Sequence, residues 1–303
     1  MRVLVTGGAG FIGSHVTKIL LDQGHKVVVL DNLSSSKKET VDSRAELIVG
    51  DIKDPKSSRA ALKGADAVIH MAGLIIVPES VKDPIKYCEN NVIGTVSFLE
   101  SMRKEKVKKI IFSSSACVYG NPQNLPIKED APVNPDNPYG ASKASIEAFL
   151  QSYHAVFGFD VAILRYFNPY GPGEMHNPET HAIPNFIKAT LAKKPIPLYW
   201  KGEQIRDFIY IEDLAQAHAD VLNLSGFEIF NIGCEKGIKV KDVVDEIFKI
   251  AGYKVPIDDL GKRAGDVSAN FASSEKLKKA VGWKAKVGLR EGLTKTIEFY
   301  RSI

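Results

Sequence analysis

The chain predicts an α/β fold with a doubly wound parallel sheet, followed by a smaller mixed α/β C-terminal substrate lobe. Three observations carry this reading. Short β-branched runs alternate with helix-length amphipathic stretches through the first half, the pattern of βαβ units. Those runs are continuously apolar, as strands become when helices cover both faces of a sheet. A glycine-rich turn follows the first run directly and opens a helix.

In chain order the runs are "RVLV", "KVVVL", "ELIVG", "AVIHMAG", "KKIIFSSS" and "DVAILRYFN". Between the first two lies "VTGGAGFIGSH", whose helix places Ile12, Val16, Ile19 and Leu20 on its buried face. Gly7, Gly10 and Gly13 allow a tight turn, close backbone approach to a pyrophosphate and close helix–strand packing, so the sheet reads as Rossmann-like. Asp31 ends the second strand, 18 residues after Gly13, where an acid accepts hydrogen bonds from the adenosine ribose. Its charge opposes a 2′-phosphate, which favours NAD over NADP. Asp51 and Ile52, after the third strand, are placed to border the adenine, and Met71, Ala72, Gly73 and Leu74, after the fourth, to reach the cofactor's phosphates.

The fifth strand ends in "SSSACVYG", at the carboxyl edge where open α/β sheets bind ligands, so Ser115 can hydrogen-bond a substrate oxygen and relay its proton. "NPYGASKAS" then starts a helix with Asn137 as cap and Pro138 in the first position. Tyr139 and Lys143 stand four apart, on one face. A phenol with an ordinary pKa near 10 needs roughly 4 kcal/mol of anion stabilisation to act as a base near neutrality. A desolvated lysine, the helix N-terminus and an oxidised nicotinamide together supply it.

Beyond Asn168 the texture changes to "PYGPGEMHNPETHAIP", read as a loop over a cleft. Helices near 183–193, 212–224, 240–250, 274–280 and 289–301 and a strand "EIFNIG" make up the rest. The sequence therefore divides into a dinucleotide-binding domain over 1–168 and a lobe over 169–303, some of whose segments return to the first domain.

With 44% hydrophobic residues the chain buries a sizeable core, and a net charge of +4 is too mild for a nucleic-acid or membrane surface. Cys88, Cys117 and Cys234 have neither metal-ligand spacing nor a disulfide framework. No apolar run approaches 18 residues, and "MRVLVTGG" leaves no room for a signal peptide. A cytoplasmic, soluble protein is expected.

The three-glycine turn, "NNVIGT", Ser115, "YGASK" and "RYFNPYGP" resemble the extended short-chain dehydrogenase/reductase family nearly end to end. "LDNLSSS", "GDIKD", "IHMAGL", "ESV" and "RDFIYIEDLA" are similar, in order, to segments of its nucleotide-sugar epimerases. The resemblance implies a homodimer that binds NAD and a UDP-sugar and inverts the sugar at C4 through a 4-keto state. It implies Ser115, Tyr139 and Lys143 as the catalytic set. Phe11, Ile12, Asp31, Asn32, Ser34, Ser35, Ser36, Asp51, Ile52, Asn90 and Phe167 then line NAD. Asn168, Arg206, Arg263 and Asn270 hold the nucleotide sugar, with Leu198, Tyr199 and Trp200 either offering backbone groups to the uracil or forming an apolar strand. Three departures bear on activity: Ile75 replaces a cofactor-contacting lysine of some members, and Ala116-Cys117 replaces the Asp-Glu pair of dehydratases. Asn270 replaces a bulky tyrosine, leaving room for an N-acetyl group. The competing readings are a UDP-glucuronate epimerase or decarboxylase and a non-catalytic NAD-sensing protein.

Overall fold

The computed structural model describes residues 1–175, 181–262 and 267–303. The chain runs β1 (Arg2–Thr6), α1 (Phe11–Asp22), β2 (Lys26–Asp31), β3 (Glu46–Val49), α2 (Pro55–Leu62), β4 (Ala67–His70), α3 (Val77–Lys82), α4 (Pro84–Tyr87), a π-helical turn (Cys88–Ile93), α5 (Gly94–Lys104), β5 (Lys109–Ser115), α6 (Pro138–Phe157) and β6 (Asp160–Tyr166). It continues with β7 (Asn168–Tyr170), α7 (Ala182–Leu191), β8 (Ile196–Leu198), β9 (Ile205–Arg206), β10 (Phe208–Tyr210), α8 (Ile211–Asp220), β11 (Phe227–Ile232), β12 (Ile238–Lys239), α9 (Val240–Ala251), β13 (Ile257–Asp259), β14 (Ala269–Asn270), α10 (Glu275–Val281) and α11 (Leu289–Ser302).

Two compact units result. The first comprises 1–121, 129–166 and 215–231; the second comprises 122–128, 167–214 and 232–303. The first holds a seven-stranded sheet in the order β11-β6-β5-β4-β1-β2-β3, with parallel pairing from β3 through β6. "EIFNIG", expected in the smaller lobe, is the strand beside β6: Val161 donates to the Gly226 carbonyl at 2.7 Å just ahead of it. The order reverses at β1, which lies between β2 and β4, so Thr6 pairs in register with both Leu30 and His70. That reversal is where doubly wound sheets bind ligands.

Leu4, Val28, Leu30, Val68, Ile110 and Phe112 form the sheet's core with Phe98, Leu99 and Met102 of α5 and Ile146 and Leu150 of α6. Each buried side chain of this kind stabilises the fold by about 1.5–3 kcal/mol. The buried face of α1 is Gly13, Val16, Thr17 and Leu20, with Ile12 and Ile19 only partly covered. The face is rotated from the expected one because the helix packs through Gly13 against the turn that follows β1. A Cβ on Gly13 would lie 2.2 Å from the Gly7 carbonyl oxygen. The α6 helix starts with Asn137 accepting from the Gly140 amide at 2.9 Å, has Pro138 in its first turn, and stops at Gly158 in the left-handed region.

The second unit contains the three-stranded sheet β12-β9-β14, the pairs β10-β7 and β13-β8, and helices α7, α9 and α11. The apolar run at 198–200 is not a continuous strand: β8 ends at Leu198, and Trp200 and Lys201 both take positive φ (+50°). Of the loop expected after Asn168, the first residues form β7, and 176–180 lie outside the described residues.

Candidate active site

The cofactor candidates converge at the carboxyl ends of β1, β2 and β4. Gly7 has φ +71°, and a Cβ there would sit 2.8 Å from the Ala72 amide nitrogen. Gly10 stands at the N-terminus of α1 with no side-chain cap. The positive end of α1 therefore suits an anion, and the glycines open a cradle that side chains would fill. The Asp31 carboxylate, 9% exposed, accepts from the Ala9 amide at 3.0 Å, the Leu33 amide at 2.8 Å and the Ser36 hydroxyl at 3.1 Å. It is therefore aimed by its own turn, with lone-pair capacity remaining for a ribose diol. Asn32 donates to Asp51 at 3.1 Å, while Ser34 and Ser35 are exposed. The Ile52 side chain lies in the core, so only its backbone faces this edge.

Behind the Met71–Leu74 segment stands a set of buried polar groups that sequence reading passed over. The Thr6 hydroxyl accepts from the amides of Met71 and Ala72, both at 3.2 Å, and meets His70 Nδ1 at 2.7 Å. His70 Nε2 meets the Thr95 hydroxyl at 2.9 Å. Burial, reinforced by the Lys143 charge, pulls His70 down to about 3, so the ring is neutral at physiological pH. Asn91, fully buried, accepts from the Leu74 amide at 2.8 Å and donates to the Leu74 carbonyl and the Ser142 hydroxyl. Asn90, the residue anticipated from the motif, donates to Asn91 at 3.2 Å.

The catalytic candidates lie on β5 and α6 of the same unit. Ser115 ends β5, accepts from the Cys117 amide at 3.2 Å, and hydrogen-bonds the Tyr139 hydroxyl. Lys143, 3% exposed, donates to the Ser113 carbonyl at 2.7 Å, with its ammonium 4.9 Å from the centre of the Phe112 ring. Burial pushes the Tyr139 phenol well above its ordinary value, and burial brings Lys143 down to about 8 against the attraction of Glu147. Gly140 between them is required by space: a Cβ would lie 2.5 Å from the Cys117 carbonyl oxygen.

The nucleotide-sugar candidates fall in the second unit. Asn168 donates from its backbone and its side chain to the Asp207 carbonyl, at 3.0 and 2.9 Å. Arg206 donates to the carbonyls of Ile205 and Val267 and stands in register with Asn270 across β9 and β14. The neighbouring Asp207 carboxylate is fully buried and accepts from the amides of Cys234, Glu235 and Ala272, so it serves the backbone. Burial nevertheless raises it to about 6. The side-chain oxygen of Asn270 is buried without a hydrogen-bond partner among the described residues. Phe167 is buried, Tyr199 is 37% exposed, and Arg263 lies outside the described residues.

Sheet order, glycine cradle and the buried carboxylate at the end of β2 define a Rossmann-type dinucleotide-binding protein. Residues 3–233 match the NAD dependent epimerase/dehydratase family, and the chain belongs to that family. It is 39% identical to the UDP-glucose 4-epimerase of Lacticaseibacillus casei over 94% of this chain and 92% of that one. Among solved structures it resembles the UDP-glucose 4-epimerase of Thermotoga maritima with UDP-glucose, at TM-score 0.95 and 35% identity, over 100% of this chain and 99% of the other. It also resembles the UDP-N-acetylglucosamine 4-epimerase of Methanobrevibacter ruminantium M1, at TM-score 0.94 and 35% identity, over 99% and 98%.

Proposed function

We propose that the protein is an NAD-dependent UDP-sugar 4-epimerase interconverting UDP-glucose and UDP-galactose. The observation that carries the reading is the placement of Ser115, Tyr139 and Lys143 on β5 and α6 of the sheet that holds the glycine cradle. Near-full-length similarity to UDP-glucose 4-epimerases supports it.

Held by the glycine cradle and Asp31, NAD would supply reversible two-electron oxidation at sugar C4 with no net consumption per turnover. The protein's part is proton management and orientation. Tyr139 accepts the proton of the 4-hydroxyl as the bond to C4 is oxidised and returns it as the ketone is reduced. Ser115 holds the same oxygen and passes the proton. Lys143 supplies the cation that makes the phenolate accessible. Gly7, Gly10 and Gly13 hold the pyrophosphate, Asp31 with Asn32 the adenosine ribose, and Asp51 the adenine edge. Residues 1–168 chiefly bind NAD, and 169–303 chiefly bind the sugar nucleotide, with Asn168, Arg206 and Arg263 at the ribose and phosphates.

Asn270 favours a broader substrate range. Its unpartnered buried oxygen costs about 1–3 kcal/mol unless a ligand donates to it, which the N–H of an acetamido group can do. Acetylated UDP-hexosamines are therefore included among the substrates.

A homodimer and a cytoplasmic setting belong to the same reading. Ala141, Ser145, Phe149, Ser152 and Val156 form an exposed stripe of small and apolar side chains along α6, suited to a helix of a second copy. Among the described residues no helix is long and apolar enough to cross a membrane, and none of the three cysteines is in a disulfide.

The test is direct: incubate the protein and NAD with UDP-glucose, UDP-galactose, UDP-N-acetylglucosamine and UDP-glucuronate, and resolve the products. C4 epimers of the first three support the proposal; turnover of the uronate alone overturns it.

A further inference from the structure

We propose that Glu147 is a positioning residue for the Tyr139–Lys143 pair: it seats α6 on the end of β5 and balances the lysine's charge. The inference rests on the catalytic reading above.

Three consecutive turns of α6 meet three consecutive residues of β5. Tyr139 bonds Ser115, Lys143 donates to the Ser113 carbonyl at 2.7 Å, and Glu147 accepts from the Ser114 hydroxyl at 2.5 Å. Arg165 of β6 locks the carboxylate from the far side through Nε at 3.0 Å and Nη2 at 2.6 Å. Its remaining donor goes to the Tyr119 hydroxyl at 2.8 Å and the Glu129 carbonyl at 3.3 Å, and Tyr119 donates on to Asn231. Glu147 is 7% exposed and Arg165 2%. A buried ion pair of this kind adds little stability over well-packed apolar residues, so its presence calls for another role. Its place in the helix supplies one. Glu147 lies one turn from Lys143, on the same face, and fixes the axial position of the helix on the strand that ends in Ser115. A carboxylate there also favours the ammonium form of Lys143 and opposes the effect of burial.

The charged and titratable groups around Lys143 are Tyr139 and Glu147 on its own helix and His70 of β4, while Arg165 of β6 is paired to Glu147 and Tyr166 of β6 is bonded to Ser113. His70 is neutral and Arg165 permanently charged across the working range, so Glu147 supplies the anion in this set.

The experiment compares the pH dependence of kcat for wild type, Glu147→Gln and the charge-neutral double variant Glu147→Gln/Arg165→Met, with NAD and UDP-glucose in excess. Tyr139→Phe is the control. Without the carboxylate, Lys143 loses its proton at lower pH, so the alkaline limb moves down by about one unit in Glu147→Gln. In the double variant it moves in the same direction by less, with KM for UDP-glucose unchanged in both. The double variant decides the matter where the single one does not fold. An alkaline limb at the wild-type pH overturns the positioning role. If Tyr139→Phe is fully active, the catalytic reading itself fails; if it is inactive while the Glu147 variants keep the wild-type profile, only the present inference fails.

Discussion

Replacing Lys143 with methionine keeps the length and packing of the side chain while removing its charge. Neither member of the pair is tuned by the protein alone: burial drives the Tyr139 phenol up and the Lys143 ammonium down to about 8. The anion therefore depends on nearby positive charge, and Lys143 is the cation of the chain placed one helical turn from the phenol. At the separation of side chains one helical turn apart, about 5–6 Å, and an effective dielectric near 20, the attraction is about 3 kcal/mol. That corresponds to about two pKa units, or a roughly 10²-fold smaller phenolate population near neutral pH. UDP-galactose formation by Lys143→Met at pH 7.5 should accordingly fall about 10²-fold in kcat. The pH profile gives the sharper readout. Burial lowers the lysine's pKa, so the cation is present below about pH 8 and lost above it; on the proposed mechanism the wild-type rate should therefore fall as Lys143 deprotonates. The methionine variant has no proton to lose there, and its rate should climb steadily into the alkaline range. A variant that works within a few-fold of wild type at neutral pH, or that retains the falling limb, refutes the assignment.

Three further changes follow from the same geometry. Asp31→Ser removes the negative charge and the acceptor of the Ala9 and Leu33 amides, so NAD affinity should drop about 10–100-fold while the preference against NADP narrows, measured by titration of both cofactors. Gly13→Ala forces a methyl group to within 2.2 Å of the Gly7 carbonyl oxygen and 2.7 Å of Gly8 Cα; the melting temperature should fall by roughly 5 °C or more, and NAD should no longer raise it. If Asn270 borders the sugar as proposed, Asn270→Tyr should suppress UDP-N-acetylglucosamine relative to UDP-glucose by about 1–3 kcal/mol in kcat/KM. Equal loss of both substrates would move the gate elsewhere.

The frame of the site was legible because its residues are fixed by local rules. A glycine needed at φ +71°, an acid at a strand end, and a tyrosine and lysine one helical turn apart behind an Asn-Pro cap all carry their geometry in their spacing. The supporting residues do not. Thr6, His70 and Ser113 sit inside apolar strand runs, where a polar side chain looks the same in sequence whether it holds a cofactor loop or merely satisfies itself. Between Asn90 and Asn91 the motif offers no choice, and the π-helical turn at Cys88–Ile93 breaks the 3.6-residue period that would have shown which one faces inward. Glu147 and Arg165 are 18 residues apart in sequence and meet because α6 lies against the sheet that contains β6. The misplaced strand "EIFNIG" has the same origin: pairing with β6 is a tertiary choice that a short apolar run does not announce.

In the proposed reaction the sugar is oxidised and reduced again within one turnover, on one cofactor that is not consumed. Its most direct test is to mix the protein, a trace of NAD and an excess of UDP-glucose, and follow reduced-nicotinamide absorbance while UDP-galactose is resolved. Many turnovers to the UDP-glucose/UDP-galactose equilibrium are expected, with no net accumulation of reduced cofactor. Reduced cofactor appearing in step with product, or turnover that stops when the added NAD is spent, would contradict it.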